Sequence, residues 1–202
     1  MITEAQMKRI IPFEIDYKHF TNLLELYDIN NEKRLILFFA LCKSQSKDFK
    51  EKDGTSMLTY TANSLMRLHP KIFTDSKMAI AYAMKPMRLA NLFYANKRGN
   101  KGEESGDGYK YFPRGYLMSW GKEVYEAYAM EKKVKPKELE AMLLSEVECL
   151  EFAMFNFERE GYNEMADNDE YQNIYRSLNG SYYGLSDFKE TMKWIKGVLS
   201  LF

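Results

Sequence analysis

Two stretches of the chain concentrate residue types that can do chemistry. The first runs from Phe38 to Phe49 and reads as the end of an apolar helix passing into a polar turn, with Ser44, Gln45 and Ser46 at the junction. Glu51 and Asp53 follow it. The second, Ser105 to Tyr116, is a glycine-punctuated loop that carries Asp107, Tyr111 and Arg114, shortly after Glu103 and Glu104. Two carboxyl groups perform acid–base catalysis when one donates a proton and the other accepts one. Gln45 can donate and accept hydrogen bonds, but its amide has no acidic proton to give. The carboxylates at 51, 53, 103 and 104 are therefore the remaining acids, each set against the plainer reading of a solvated charged loop.

Other chemistries find less support. His19 and His69 lie far apart, with no Cys, Asp or Glu at ligand spacing, so no metal site is expected. Cys42 sits one turn before Gln45 with neither histidine near it in sequence. Cys42 and Cys149 both fall in apolar helical contexts, which suits buried free thiols; a disulfide between them stays open, and there is no disulfide framework. The glycine loop does not follow a strand and open a helix in the phosphate-binding manner, and no cofactor is implied. Lys plus Arg and Asp plus Glu number 29 each, a net charge of zero, which argues against capture of nucleic acid or of an anionic membrane. No apolar run approaches the roughly 20 residues that span a bilayer. The first residues lack the order of a signal peptide. Synthesis in the cytoplasm is expected, with any export running through a holin or a secretion machine.

The elements that must position these residues are helices. A length of 202 residues suits one domain, taken as residues 1–202. Thr3 caps a short helix that ends before Pro12; an amphipathic helix covers Tyr17 to Tyr27; Asn30 or Asn31 opens a third. This third helix is apolar nearly all round, from Leu35 to Cys42, and should be the central buried one. Thr61 opens a helix that stops near His69-Pro70. Asp75 or Ser76 caps another, with Met78, Ile80, Ala81 and Met84 inward. Pro86 starts the next, burying Met87, Leu89, Leu92, Phe93 and Tyr94. Arg98 to Pro113 is a long loop, and Tyr109 to Met118 suits a small hairpin. Trp120 to Met130 is helical. Val134 and Pro136 start the longest helix, which carries Leu139 through Phe157 at helical spacing and ends at Gly161. A helix around Tyr171 to Leu178 and a last one capped by Ser186 complete a mainly α-helical chain. No repeats or linkers interrupt it.

Five sets of segments follow one another in order: Leu58-Thr59-Tyr60-Thr61-Ala62 with Pro70-Lys71-Ile72-Phe73, Leu89 through Asn100, Ser105 through Tyr111 with Arg114-Gly115-Tyr116, Gly161-Tyr162-Asn163 with Ala166-Asp167, and Leu178-Asn179-Gly180. Together they resemble glycoside hydrolase family 19, the chitinases and phage-type endolysins. The resemblance covers nearly the whole chain. It implies a lysozyme-like, two-lobed helical fold in which the two chemical stretches wall a central groove for a β-1,4-linked polymer. By the same resemblance Ser44, Gln45, Tyr60, Asn96, Tyr111, Arg114, Met118, Trp120 and Asn179 are the expected ligand-binding positions. The family is inverting and needs an acid and a base across the groove. The acid lies in a His-Glu-Ser motif, and here those positions read Ser44-Gln45-Ser46. Glu51 and Asp53 are the candidates for the second carboxylate, against the reading of that segment as a solvated charged loop. Pro113 replaces a family glycine; Met118 and Trp120 replace a polar Gln and Thr; the family's Arg after Gly-Leu-x-Asp is Phe188.

Three functions follow as expectations. The leading one is a pseudoenzyme that binds a glycan, of peptidoglycan or chitin type, or a protein partner through the former cleft. The second is an active hydrolase with relocated carboxylates. The third is a structural component of a phage particle or secretion apparatus.

Overall fold

The computed structural model describes residues 2–201 of the chain. Its architecture is mainly helical, with thirteen α-helices and no extended strand among the described residues. The backbone divides into two compact units, one made of residues 2–52, 115–118 and 140–201, the other of residues 53–114 and 119–139.

The first unit opens with α1 (Glu4–Ile10), closed at its start by a capping box: Thr3 Oγ1 accepts from the Gln6 N–H while Gln6 Oε1 accepts from the Thr3 N–H. Asp16 caps α2 (Tyr17–Leu26) and Asn31 caps α3 (Glu32–Gln45). Every side chain from Leu35 to Cys42 in α3 is buried, which makes this helix the spine of the unit. Its end is fixed by Ser46, whose Oγ donates to the Cys42 carbonyl at 2.6 Å and accepts from the Phe49 N–H at 2.9 Å. Lys47, Asp48 and Phe49 then all take positive φ, at 50°, 64° and 62°, a conformation that L residues seldom hold in succession. Phe49 anchors that turn by packing edge-on to Tyr116 and to Phe13.

The second unit carries a 3₁₀ turn (Thr55–Leu58), α4 (Ala62–Leu68) capped by Thr61, α5 (Ser76–Tyr82) capped by Asp75, and α6 (Pro86–Phe93) with Pro86 in its first turn. Its core is Leu58, Leu65, Phe73, Ala79, Leu89, Ala90 and Phe112. Three residues expected inward, Ile80, Met84 and Met87, are exposed instead. The inward stripe of α5 is Met78, Ala79, Tyr82 and Ala83, spaced by one and then three residues, so the opposite side of the same two turns faces solvent. The long loop after Arg98 is more ordered than expected: it holds a 3₁₀ turn (Glu103–Ser105) and the one-turn α7 (Asp107–Lys110). This segment lies directly on α6. A Cβ at Gly108 would meet the Ala90 carbonyl oxygen at 2.4 Å, and Asn91 Oδ1 accepts from the Tyr109 N–H at 2.7 Å. The expected hairpin reduces to two antiparallel bridges, Asp53 with Arg114 and Arg114 with Ser119. α8 (Lys122–Glu131) completes the unit.

The single long helix expected from Val134 to Phe157 is broken. A short α9 (Leu139–Met142) is followed by α10 (Glu146–Arg159), because Ser145 adopts extended backbone and caps the new helix. α10 stops two residues before Gly161, and Gly161 opens α11 (Tyr162–Asp167), absent from the sequence reading. α12 (Tyr171–Asn179) and α13 (Leu185–Leu199) close the chain, and α13 packs along α3. The residue before α13 is Gly184 rather than Ser186. At φ 82° a Cβ there would sit 2.7 Å from the Tyr175 hydroxyl, so the tight entry admits only glycine without strain.

Candidate functional site

Gln45 is the last residue of α3, held by the buried run that precedes it. Its side chain is half-buried, and Nε2 donates to Asn179 Oδ1 at 3.2 Å. Asn179 is the last residue of α12, and its own Nδ2 donates to the Tyr175 carbonyl at 2.9 Å. Those two bonds orient the Asn179 amide: its nitrogen serves the helix end and its oxygen faces position 45. Ser44 is exposed beside it, whereas Ser46 is buried in the helix stop. The structure thus brings Gln45 and Asn179 together from opposite ends of the sequence.

Glu51, Asp53 and Glu103 each have a protein partner. In the first unit Glu51 pairs with Lys47 at 2.6 Å, and Asp48 pairs with Lys43. The Lys43 ammonium also lies 4.8 Å from the centre of the Trp194 ring. In the second unit the exposed Asp53 closes its own turn, with Oδ1 accepting from the Thr55 N–H at 2.8 Å. Glu103 Oε1 accepts from the Tyr82 hydroxyl at 2.6 Å, a bond that raises the Tyr82 pKa. Asp107 Oδ2 accepts from the Lys101 N–H at 3.1 Å, and Glu104 is exposed.

The other expected ligand positions divide by burial. Asn96 is exposed, with φ 57° and its N–H bonded to the Lys101 carbonyl. Tyr60 is half-buried, its ring edge-on to His69 at 5.6 Å. Trp120 is half-buried between the Tyr94 ring at 4.7 Å and the Arg98 guanidinium at 5.0 Å. Burial pushes the neighbouring Tyr94 hydroxyl up to about 12. Tyr111, Arg114 and Met118 are buried. Arg114 works inside the second unit: Nη1 donates to the Lys110 carbonyl at 2.9 Å and to Tyr125 Oη at 3.1 Å, with the guanidinium 4.2 Å from the Phe112 ring centre. Tyr125 Oη in turn donates to the Phe112 carbonyl at 2.8 Å. This network locks the loop around Phe112 in place.

Cys42 and Cys149 are both free and buried, so no disulfide joins them. Burial raises the Cys42 thiol pKa well above its ordinary value and leaves it a poor nucleophile. Among the described residues no group of three or more His, Cys, Asp and Glu is placed to hold a metal ion. Two features escaped the sequence reading. Glu151 is buried in α10, with Oε1 accepting from the Tyr27 hydroxyl at 3.2 Å; the signal was a carboxylate inside the run Cys149-Leu150-Glu151-Phe152-Ala153. Tyr183 is 92% exposed in the loop after Asn179, and the signal was a Tyr pair between two glycines.

No protein-family model matches the chain. A protein of Haemophilus influenzae described as a glycosyl hydrolase family 19 domain-containing protein is 28% identical over 192 residues, which cover 93% of this chain and 92% of that protein. The chain is similar to it from end to end. None of the helices among the described residues is long and apolar enough to cross a membrane.

Proposed function

We propose that this chain is a non-hydrolysing relative of the family 19 glycosidases that binds a β-1,4-linked glycan of peptidoglycan or chitin type. The binding surface is that around Ser44, Gln45 and Asn179. The observation that carries this reading is the amide pair itself: at the position where the family places its acid, an amide donates to Asn179 Oδ1 at 3.2 Å. Inverting hydrolysis needs a proton donor as well as a base. Gln45 offers a hydrogen bond to a sugar hydroxyl or ring oxygen in place of a proton. Glu51 and Asp53, the substitute carboxylates, are engaged by Lys47 and by the Thr55 N–H.

A protein occupant of the same surface is the second reading. It is favoured by Tyr183, whose ring stands in solvent next to this site in sequence and has the chemistry of an interface anchor. The test is a titration of chitin and peptidoglycan oligomers against protein labelled at its side-chain amides. Saturable shifts of the Gln45 and Asn179 amide signals are expected, together with weakening in Gln45→Ala by about tenfold. Amide signals that stay put at saturating oligomer would overturn the glycan reading and leave the protein partner.

A further inference from the structure

A cavity of about 480 Å³ opens on the first unit between α3, α11, the start of α12 and α13, and the glycan reading makes no use of it. Its size is that of a small-ligand pocket, which typically runs from about 300 to 1,000 Å³. Ile36 and Leu37 of α3, Ala166 of α11 and Met192 of α13 make its floor apolar. Met192 and Lys196 are four residues apart on α13, and Lys193 and Lys196 three apart, so one face of the helix supplies both floor and rim.

The charges at the rim are not all spent. Lys33 is bonded to Asp169 at 2.7 Å and to the Asp167 carbonyl at 2.9 Å. Lys193 and Lys196 are exposed and have no carboxylate partner among the described residues. Glu32 lies on the same rim, so once the Lys33–Asp169 pair is set aside the rim carries one positive charge in excess. An apolar floor under a rim with one excess positive charge is complementary to an apolar stem that ends in one negative charge.

We infer that this cavity is a binding site for a free single-chain monocarboxylate, with its alkyl stem on Ile36, Leu37, Ala166 and Met192 and its carboxylate at Lys193 and Lys196. Met192 suits such an occupant because its unbranched thioether adapts to an irregular stem. The site lies within one unit and needs neither Gln45 nor Asn179, so it stands apart from the proposed glycan surface.

The experiment titrates octanoate, below its micelle concentration, into full-length protein with labelled methionine methyl groups. The expected result is a saturable shift of the Met192 methyl signal, with octan-1-ol binding weaker by about tenfold and the double variant Lys193→Gln/Lys196→Gln binding octanoate weaker by about the same factor. Both lysines are on the surface, so the variant keeps the fold. A shift that never saturates, octan-1-ol binding as tightly as octanoate, or an unchanged affinity in the double variant would each overturn the site. So would binding to vesicles of anionic phospholipid in the absence of any octanoate binding, since that would mark a membrane-facing surface rather than a pocket for a free acid.

Discussion

At position 45 the surroundings prefer a donor. Asn179 has committed its nitrogen to the Tyr175 carbonyl and turns its oxygen outward, so Gln45 can satisfy it and a carboxylate could not. In Gln45→Glu the protonated acid would donate to Asn179 Oδ1, whereas the ionised form would set two acceptors against each other. The carboxyl pKa of that variant is therefore expected above the usual glutamate value. Because the folded pKa is raised, the contribution to stability is full below the unfolded value of about 4.3 and is lost as pH rises through the folded pKa. Carboxyl NMR of the labelled variant reads this directly, and a pKa at or below 4.3 would contradict the orientation of Asn179. Asp167 carries the opposite sign. Hydrogen bonds from Arg34 first, and then Asn31, hold its carboxyl below the ordinary range, so the stability it contributes is present above the unfolded pKa and lost as pH falls through the folded one. The Asp167 side chain is 36% exposed, which limits the effect of Asp167→Asn at pH 7 to about 0.5–1 kcal/mol. Denaturation at pH 7 and pH 3 should show that gap closing in acid, and a gap that stays constant would remove Asp167 from the pH dependence. The identity of Gln45 was plain in the sequence. Its partner was not, because a hydrogen bond between residues 134 apart leaves no local pattern.

Helix starts were easy to read where a side chain reaches back to its own first turn. Thr3, Asn31, Thr61 and Asp75 all cap as their spacing predicts, and Pro86 opens α6. Helix faces were harder. Ile80, Met84 and Met87 are as apolar as the residues that do turn inward, and over the two turns of α5, the short connection after it and the first turn of α6 the pattern does not reveal which side meets the core. The break at Ser145 was hidden by apolar residues that continue at helical spacing through it, since periodicity ignores a cap taken in extended backbone. The glycine loop shows the same limit. Its glycines were visible, but not the close seat of α7 on α6, which only one of them demands. Gly108→Ala drives a Cβ into the Ala90 carbonyl and should cost about 2–3 kcal/mol in chemical denaturation. Gly106→Ala, with φ 77° and nothing within 4 Å of its Cβ, should cost only the left-handed strain of about 1–2 kcal/mol. Equal losses at the two positions would mean that the packing of this loop on α6 is not what fixes it.

Across the whole molecule, the helical class and the burial of both cysteines followed from apolar periodicity and from the contexts of the two cysteines, whereas their free state is read only from the structure. The candidate surface followed only in part. Positions such as Tyr111, Arg114 and Met118 carry the residue types of a binding site, yet they are buried, and Arg114 is engaged by Lys110, Tyr125 and Phe112. Sequence types do not distinguish a cation that meets a ligand from one that holds a loop. Over 93% of its length the chain is similar, at 28% identity, to a protein described as a glycosyl hydrolase family 19 domain-containing protein, whereas the proposed chemistry rests on one residue. The most direct measurement is therefore product release from chitin and peptidoglycan oligomers by the unaltered protein at enzyme-excess concentrations. No release is expected while the oligomers remain bound, because removing general acid catalysis alone slows such a reaction by about 10²–10⁴-fold. Sustained release of shortened oligomers by the protein carrying Gln45 would contradict the central claim and make Glu51, Asp53, Glu103 and Glu104 the acids to replace next.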